Sequence, residues 1–371
     1  MKAIKIQLWY GLLGLGILLG LLTAYRVLIG TGFVLYAKTD ILVWTMPIAA
    51  YVFFSLTSSG LAFVSSIPVV FGIKRYQPLE KRTAFLEIAV LFAAFTCLLL
   101  HLGSPWNVVY YLFSPNLASP LWWLGMLYGV YLIVLLLSFR KIHKAQVSKG
   151  LGIFTFIIAI ATSTALGWLF GLPDARPVYN ANFLAMYFPL TGFGSALAAV
   201  LLFSLAYHHF AKIPLSEGDR NLYDDLSKLF GVVMILTLIF FIWRTIVGGA
   251  SATAAEFAGF RHMLGSGWYH LALWVGLVIP LVLIAMPAVR QATWGKVTAA
   301  ALFLVGMFAG RLEMVLSGLV MPTGPKAEGQ PTFASYWPTI WEVFVFASAL
   351  AVLLLVYTLG ERKLKLSDVP E

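Results

Sequence analysis

The sequence predicts an all-α polytopic membrane protein with about ten transmembrane helices. Two observations carry that prediction. Of 371 residues, 61% are apolar and 11% are charged, whereas a soluble domain uses about 25% charged residues, so a water-facing surface cannot be assembled from this supply. The second is length. Apolar runs long enough to cross ~30 Å of hydrocarbon, which takes about 20 helical residues, recur at roughly 8–29, 42–72, 84–102, 120–139, 151–171, 184–207, 226–247, 268–288, 297–320 and 340–359.

The first run follows Lys2 and Lys5 without a small-residue cleavage site and reads as a retained helix. Gly16 and Gly20 within it form a GxxxG pair, which permits close helix packing. Many of the 12 tryptophans lie at run ends, where amphipathic rings favour the headgroup level. Orientation follows from charge. With the N-terminus inside, 18 of the 25 Lys and Arg residues fall in the inner segments and seven toward the outer side, the positive-inside pattern, which predicts that both termini are cytoplasmic. The formal charge of +10 is thereby explained by membrane lipid, with no nucleic acid partner. No segment outside the runs is long enough to bury its own core, which excludes catalysis by a soluble domain. The outer connections at roughly 103–119, 248–267 and 321–339 read as caps, docking surfaces or plain loops. A single cysteine, Cys97, excludes an internal disulfide and a Cys-ligated iron–sulfur cluster in this chain.

Ionisable residues within spans are costly and are functional candidates unless they lie close enough to a helix end to snorkel. Glu87 comes about four residues into the third run, ~6 Å from its inner boundary, and His101 closes the same run at the outer side. The two share a face some ~21 Å apart and are read either as proton-handling groups or as unrelated end-of-helix residues. The outer end of this region holds Trp44, Thr45 and Tyr51 on the second run, His101, Trp106 and Asn107 after the third, Trp122, Trp123 and Tyr128 on the fourth, and Asp174 with Arg176 after the fifth. Apolar walls with a few His, Asn or Tyr donors suit a quinone head, and an aromatic belt with ordinary caps fits the same residues. A second outer-half group is Arg244, His270, Arg311, Glu313 and Glu342. Arg311 lies too deep to snorkel inward and calls for an acid on another helix; the group is read as a structural ion-pair network or as a proton relay. Of six histidines only His101 and His270 share a level, so a two-haem arrangement is excluded.

The stretch Trp44-Thr45-Met46-Pro47-Ile48-Ala49-Ala50-Tyr51-Val52-Phe53-Phe54, with Ser59-Gly60, closely resembles the second-helix signature of the NrfD/PsrC family of quinone-interacting membrane subunits. Arg75-Tyr76-Gln77-Pro78-Leu79-Glu80-Lys81-Arg82 resembles that family's inner-loop segment, and His101-Leu102-Gly103-Ser104-Pro105-Trp106 its Asp-Leu-Gly-Arg-Pro-Trp motif, with His101 in place of Asp and Ser104 in place of Arg. Ser114-Pro115-Asn116 and Ser119-Pro120-Leu121-Trp122-Trp123 complete the pattern, which covers roughly residues 40–130.

The resemblance implies an N-terminal flanking helix over 1–41, a first four-helix bundle with the quinone site over 42–180, a second over 181–320, and a flanking helix with a cytoplasmic tail over 321–371, in a prokaryotic inner membrane. It implies menaquinone or ubiquinone as cofactor, with no haem or iron–sulfur cluster in the chain. It also implies a ferredoxin-like iron–sulfur partner and further redox subunits of molybdopterin, cytochrome c or hydrogenase type. His101 and Tyr128 are then expected to hydrogen-bond the quinone, supported by Asn107, Thr45 and Tyr51, with Trp44 and Trp122 as walls. Glu87, Arg244, His270, Arg311 and Glu313 are candidates for proton movement. The rival reading is a secondary transporter, a class that often pairs broken helices at the midplane; Pro47, Pro68, Pro189 and Pro280 supply the interruptions.

Overall fold

The computed structural model describes the chain except for residues 1, 31, 147, 174–175, 177, 180, 251–253, 322–332 and 367–371. Ten of the described helices are long and apolar enough to span a membrane. In chain order they are α1 (Lys2–Tyr25), α2 (Met46–Phe71), α3 (Gln77–His101), α4 (Pro120–His143), α5 (Lys149–Phe170), α6 (Ala181–Ala211), α7 (Glu217–Gly249), α8 (Gly267–Ala285), α9 (Thr293–Ser317) and α10 (Ile340–Lys363).

Local chemistry sets the helix ends. Ser119 and Ser148 cap α4 and α5 through their side-chain oxygens, and Ser216 with Asp219 and Thr339 with Glu342 form capping boxes at α7 and α10. The prolines do not break paired helices. Pro47 lies in the first turn of α2, where its missing N–H is harmless, while Pro68 and Pro189 lie inside continuous helices. Within α8, Leu271–Val278 widens to a π-helix just before Pro280, a local adjustment that relieves the clash of the proline ring with the preceding turn.

α2 is the central element, buried along its whole span, and packs against α3, α5, α6 and α9. α3, α4 and α5 complete a group around it, and α6 to α9 form the other group. The two meet where Gly60 of α2 faces Gly192 of α6; a Cβ on Gly60 would collide with the Gly192 backbone, and one on Gly192 would come within 2.6 Å of the Leu56 carbonyl oxygen. α1 lies on α10, and α10 on α3. The GxxxG pair serves that seam: Cβ atoms on Gly16 and Gly20 would come within 2.6 Å of Ala351 Cβ and Ser348 Cβ.

Several cations at the end of the bundle where α10 terminates are ties between helices. Arg82 meets Glu361 at 2.7 Å, joining α3 to α10, and Lys296 meets Asp224 at 2.6 Å, joining α9 to α7. Lys81 Nζ donates to the Lys365 carbonyl at 2.9 Å, holding the end of the chain against α3.

Candidate functional site

At the outer end of α2, Thr45 is the N-cap residue, extended at φ −132° and ψ −165°, with its carbonyl accepting from the Ile48 amide at 3.0 Å. Its hydroxyl makes no cap bond and is buried without a partner among the described residues. Trp44 packs edge-on against Phe170 of α5, with 5.2 Å between rings. The Met46 amide donates to Tyr336 Oη at 3.0 Å, and that hydroxyl donates to Glu342 at 3.1 Å. Glu342 therefore belongs to the seam between α2 and α10, not to the Arg244 group.

His101 closes α3, buried, with Nδ1 lacking a partner. Beside it, Tyr36 donates to the Leu100 carbonyl at 2.8 Å. Burial and the charge of Glu342 push the Tyr36 phenol up, so it remains a donor. Lys38 sits 4.0 Å over the Phe33 ring. Burial pulls its ammonium down to about 8, against the opposing pull of Glu342, and its charge acts on His101.

Deeper in, the Tyr51 and Tyr128 rings lie 6.2 Å apart, and the Tyr128 hydroxyl is buried without a partner. One turn further along α4 stands Tyr131, its ring 6.2 Å from Tyr128. Tyr131 donates to Glu87 Oε1 at 3.0 Å, and its hydroxyl shares a bond with Ser58 at 3.3 Å. The other carboxylate oxygen of Glu87 accepts from Ser65 at 3.2 Å. Ser65 and Glu87 also line a cavity of about 30 Å³ whose other walls include Ser138, Lys141, Ser148 and Thr155, room for two or so water molecules. Hydroxyls and a carboxyl group both give and take protons, so this thread from Tyr131 to the cavity has the parts of a proton path.

The structure thus brings Tyr51 and Tyr128 together, places Thr45 and His101 at the ends of α2 and α3 on the same side of the bundle, and links Glu87 to Tyr131 instead of to His101. It leaves other candidates apart. Asn107 is exposed on the short Pro105–Val109 turn. Trp122 Nε1 donates to the Tyr111 carbonyl at 2.8 Å and so fastens the loop above α4. Asp174 lies outside the described residues, and Arg176 Nη1 donates to the Met321 carbonyl at 2.7 Å. In the second group Arg244 grips Glu313 with two bonds of 2.9 and 3.2 Å. Arg311, expected to need an acid on another helix, has none among the described residues; the available acid is taken by Arg244. His270 is exposed at the start of α8. Tyr131, Ser58 and Ser65 are absent from the sequence-level candidates. Their signal was the density of hydroxyls along an apolar run, at Thr57, Ser58, Ser59, Ser65 and Ser66.

Ten described helices long and apolar enough to span a bilayer, with no strand among the described residues, define a polytopic α-helical membrane protein. The profile of the family "Polysulphide reductase, NrfD" matches residues 34–323, and the chain belongs to that family. It is 25% identical to the Hdr-like menaquinol oxidoreductase integral membrane subunit of Archaeoglobus fulgidus, over 88% of this chain and 85% of that protein. It is likewise 25% identical to a polysulfide reductase chain of Wolinella succinogenes, over 74% of this chain and 94% of that one. Identity to a selenate reductase subunit of Mesobacillus selenatarsenatis is 22%, over 85% of this chain and 83% of that protein.

Proposed function

We propose that this chain is the quinone-reactive membrane subunit of an oxidoreductase complex, taking menaquinone or ubiquinone near the outer face and exchanging electrons with a ferredoxin-like iron–sulfur subunit docked above it. The observation that carries this reading is the set of buried polar atoms with no hydrogen-bond partner among the described residues toward the outer ends of α2 to α4: Thr45 Oγ1, Ser55 Oγ, His101 Nδ1 and Tyr128 Oη. Leaving such atoms unpaired is costly, and a quinone carbonyl or quinol hydroxyl supplies the missing acceptor or donor. The names of the relatives, a menaquinol oxidoreductase subunit and reductase subunits, favour the same class.

A quinone supplies electron transfer coupled to uptake or release of protons. His101 and Tyr128 are assigned to hydrogen-bond its head, Thr45 and Tyr51 to shape the pocket, and Trp44 to wall it. Glu87 and Tyr131 then hold and pass protons between this site and the inner cavity. Both termini are assigned to the cytoplasm, in a prokaryotic inner membrane, from the inner excess of Lys and Arg. In single-turnover measurements on the purified complex, His101→Ala and Tyr128→Phe are expected to slow quinone reduction or oxidation at least tenfold. Unchanged rates in both variants would remove these residues from the site, and a chain isolated without any iron–sulfur subunit would overturn the assignment as a whole.

A further inference from the structure

Arg311 carries a charge that nothing in the described protein cancels. It is 3% exposed and lies about 27 Å along α9 from the inner end and about 9 Å short of Ser317. Its guanidinium donates to Thr191 Oγ1 on α6 and lies 4.6 Å from the Phe188 ring and 5.7 Å from the Tyr187 ring. A hydroxyl and two ring faces attract a cation without supplying negative charge. The nearby carboxylate of Glu313 is already committed to Arg244. Two guanidiniums and one carboxylate leave one positive charge in excess, and a guanidinium does not shed its proton. A buried, uncompensated charge in a bundle interior is strongly disfavoured.

The same place contains space. A cavity of about 10 Å³ lies between α6, α7, α8 and α9, walled by Tyr187, Phe241, Ala272 and Gly310, with Arg244 and Arg311 both on its lining; one water-sized particle needs about that volume. A separate vestibule of about 880 Å³ has Arg261, His262 and Glu313 on its walls. The Arg244–Glu313 pair therefore stands between vestibule and cavity, with one partner lining each.

We infer that this cavity is a binding site for one small monovalent anion, of the size and charge of chloride, held between Arg311 and Arg244 and entering past the Glu313 pair from the vestibule. A bound anion brings the cluster to neutrality, which a water molecule does not. The site is separate from the quinone site and stands or falls independently of it.

The test uses the full chain with its partner subunits in nanodiscs, comparing sodium chloride with sodium gluconate at equal ionic strength. Chloride is expected to raise the thermal midpoint saturably, by about 3 °C at tenfold above its Kd. Arg311→Met is expected to lose that response and, in gluconate, to unfold at or above the wild-type temperature, because it removes the uncancelled charge. Arg311→Lys keeps a weaker response. A wild-type protein indifferent to chloride, or a Met variant that responds as the wild type does, overturns the proposal. Should the Met variant not fold, bromide decides on the wild type: an anomalous scattering peak between Arg311 and Arg244 supports the site, and its absence at saturating bromide refutes it.

Discussion

Breaking the Arg244–Glu313 pair gives the sharpest energetic test of the second helix group. The Glu313 side chain is 1% exposed and Arg244 15% exposed, and the two nitrogen–oxygen bonds of 2.9 and 3.2 Å take up both carboxylate oxygens. Removing one member leaves the other charged and desolvated, a change of about 3–5 kcal/mol, whereas replacing both by neutral groups of similar volume is often close to neutral. Counting charge in the cluster with Arg311 ranks the variants. Arg244→Met leaves Glu313 stranded beside an arginine it does not bond. Glu313→Gln leaves two uncompensated guanidiniums and is the worse of the two. The double variant restores the wild-type excess of one positive charge. Chemical unfolding in mild detergent, followed by tryptophan fluorescence, is therefore expected to show losses of about 3–5 kcal/mol or more for each single variant, and less than about 2 kcal/mol for the double. Additive losses across the cycle would refute the reasoning, since they would mean the two residues act independently despite their bonds.

The thread through the first group predicts that Glu87→Gln slows quinone turnover at least tenfold with quinone affinity unchanged, and Tyr131→Phe slows it several-fold; full turnover in both variants removes the path. Lys38 gives a pH signature. Its folded pKa of about 8 lies below the ordinary 10.5, so the charged form is disfavoured by folding, and stability rises as pH goes from about 8 to about 10.5. Lys38→Met should flatten that rise and erase any step near pH 8 in the quinone rate profile, because the neighbouring His101 would no longer meet a titrating charge; an unchanged profile counts against Lys38. Gly60→Val should drive α2 from α6, because even a Cβ there collides with the Gly192 backbone. Loss of cooperative unfolding is the expected readout, and a midpoint within 2 °C or so of wild type would contradict the packing.

The spans were legible because each is a one-dimensional signal, a run of apolar residues matched to bilayer thickness. Helix beginnings were less so, and one error followed from that. α3 starts at Gln77, not near residue 84, since its first two turns are polar; Glu80, Lys81 and Arg82 are nevertheless buried, Arg82 by its bond to Glu361 on α10. Glu87 therefore lies ten residues, about 15 Å, into the helix and is buried inside the bundle. Partners were the least legible. Ser58 and Tyr131 are 73 positions apart and meet only because two helices are rotated to face each other, which no local pattern encodes. The same holds for Glu313, whose choice of Arg244 over Arg311 depends on helix rotation and not on spacing. Tyr131 itself was within reach, since three positions along a helix is a shared face with Tyr128.

Two of the buried carboxylates, Glu87 and Glu313, differ in what surrounds them. Glu313 is held by a guanidinium at both oxygens. The two bonds hold Glu313 and Arg244 in one arrangement, which suits a static electrostatic frame. Glu87 is met only by the hydroxyls of Tyr131 and Ser65, with no cation bonded to it among the described residues. Either protonation state can be accommodated there, since each hydroxyl is able to turn from donor to acceptor. A group that must gain and lose a proton in every cycle needs that tolerance, and a group that must hold a structure or an ion in place is better without it. On the proposed function, proton handling belongs to the first helix group, under the proposed quinone site, and fixed charge to the second.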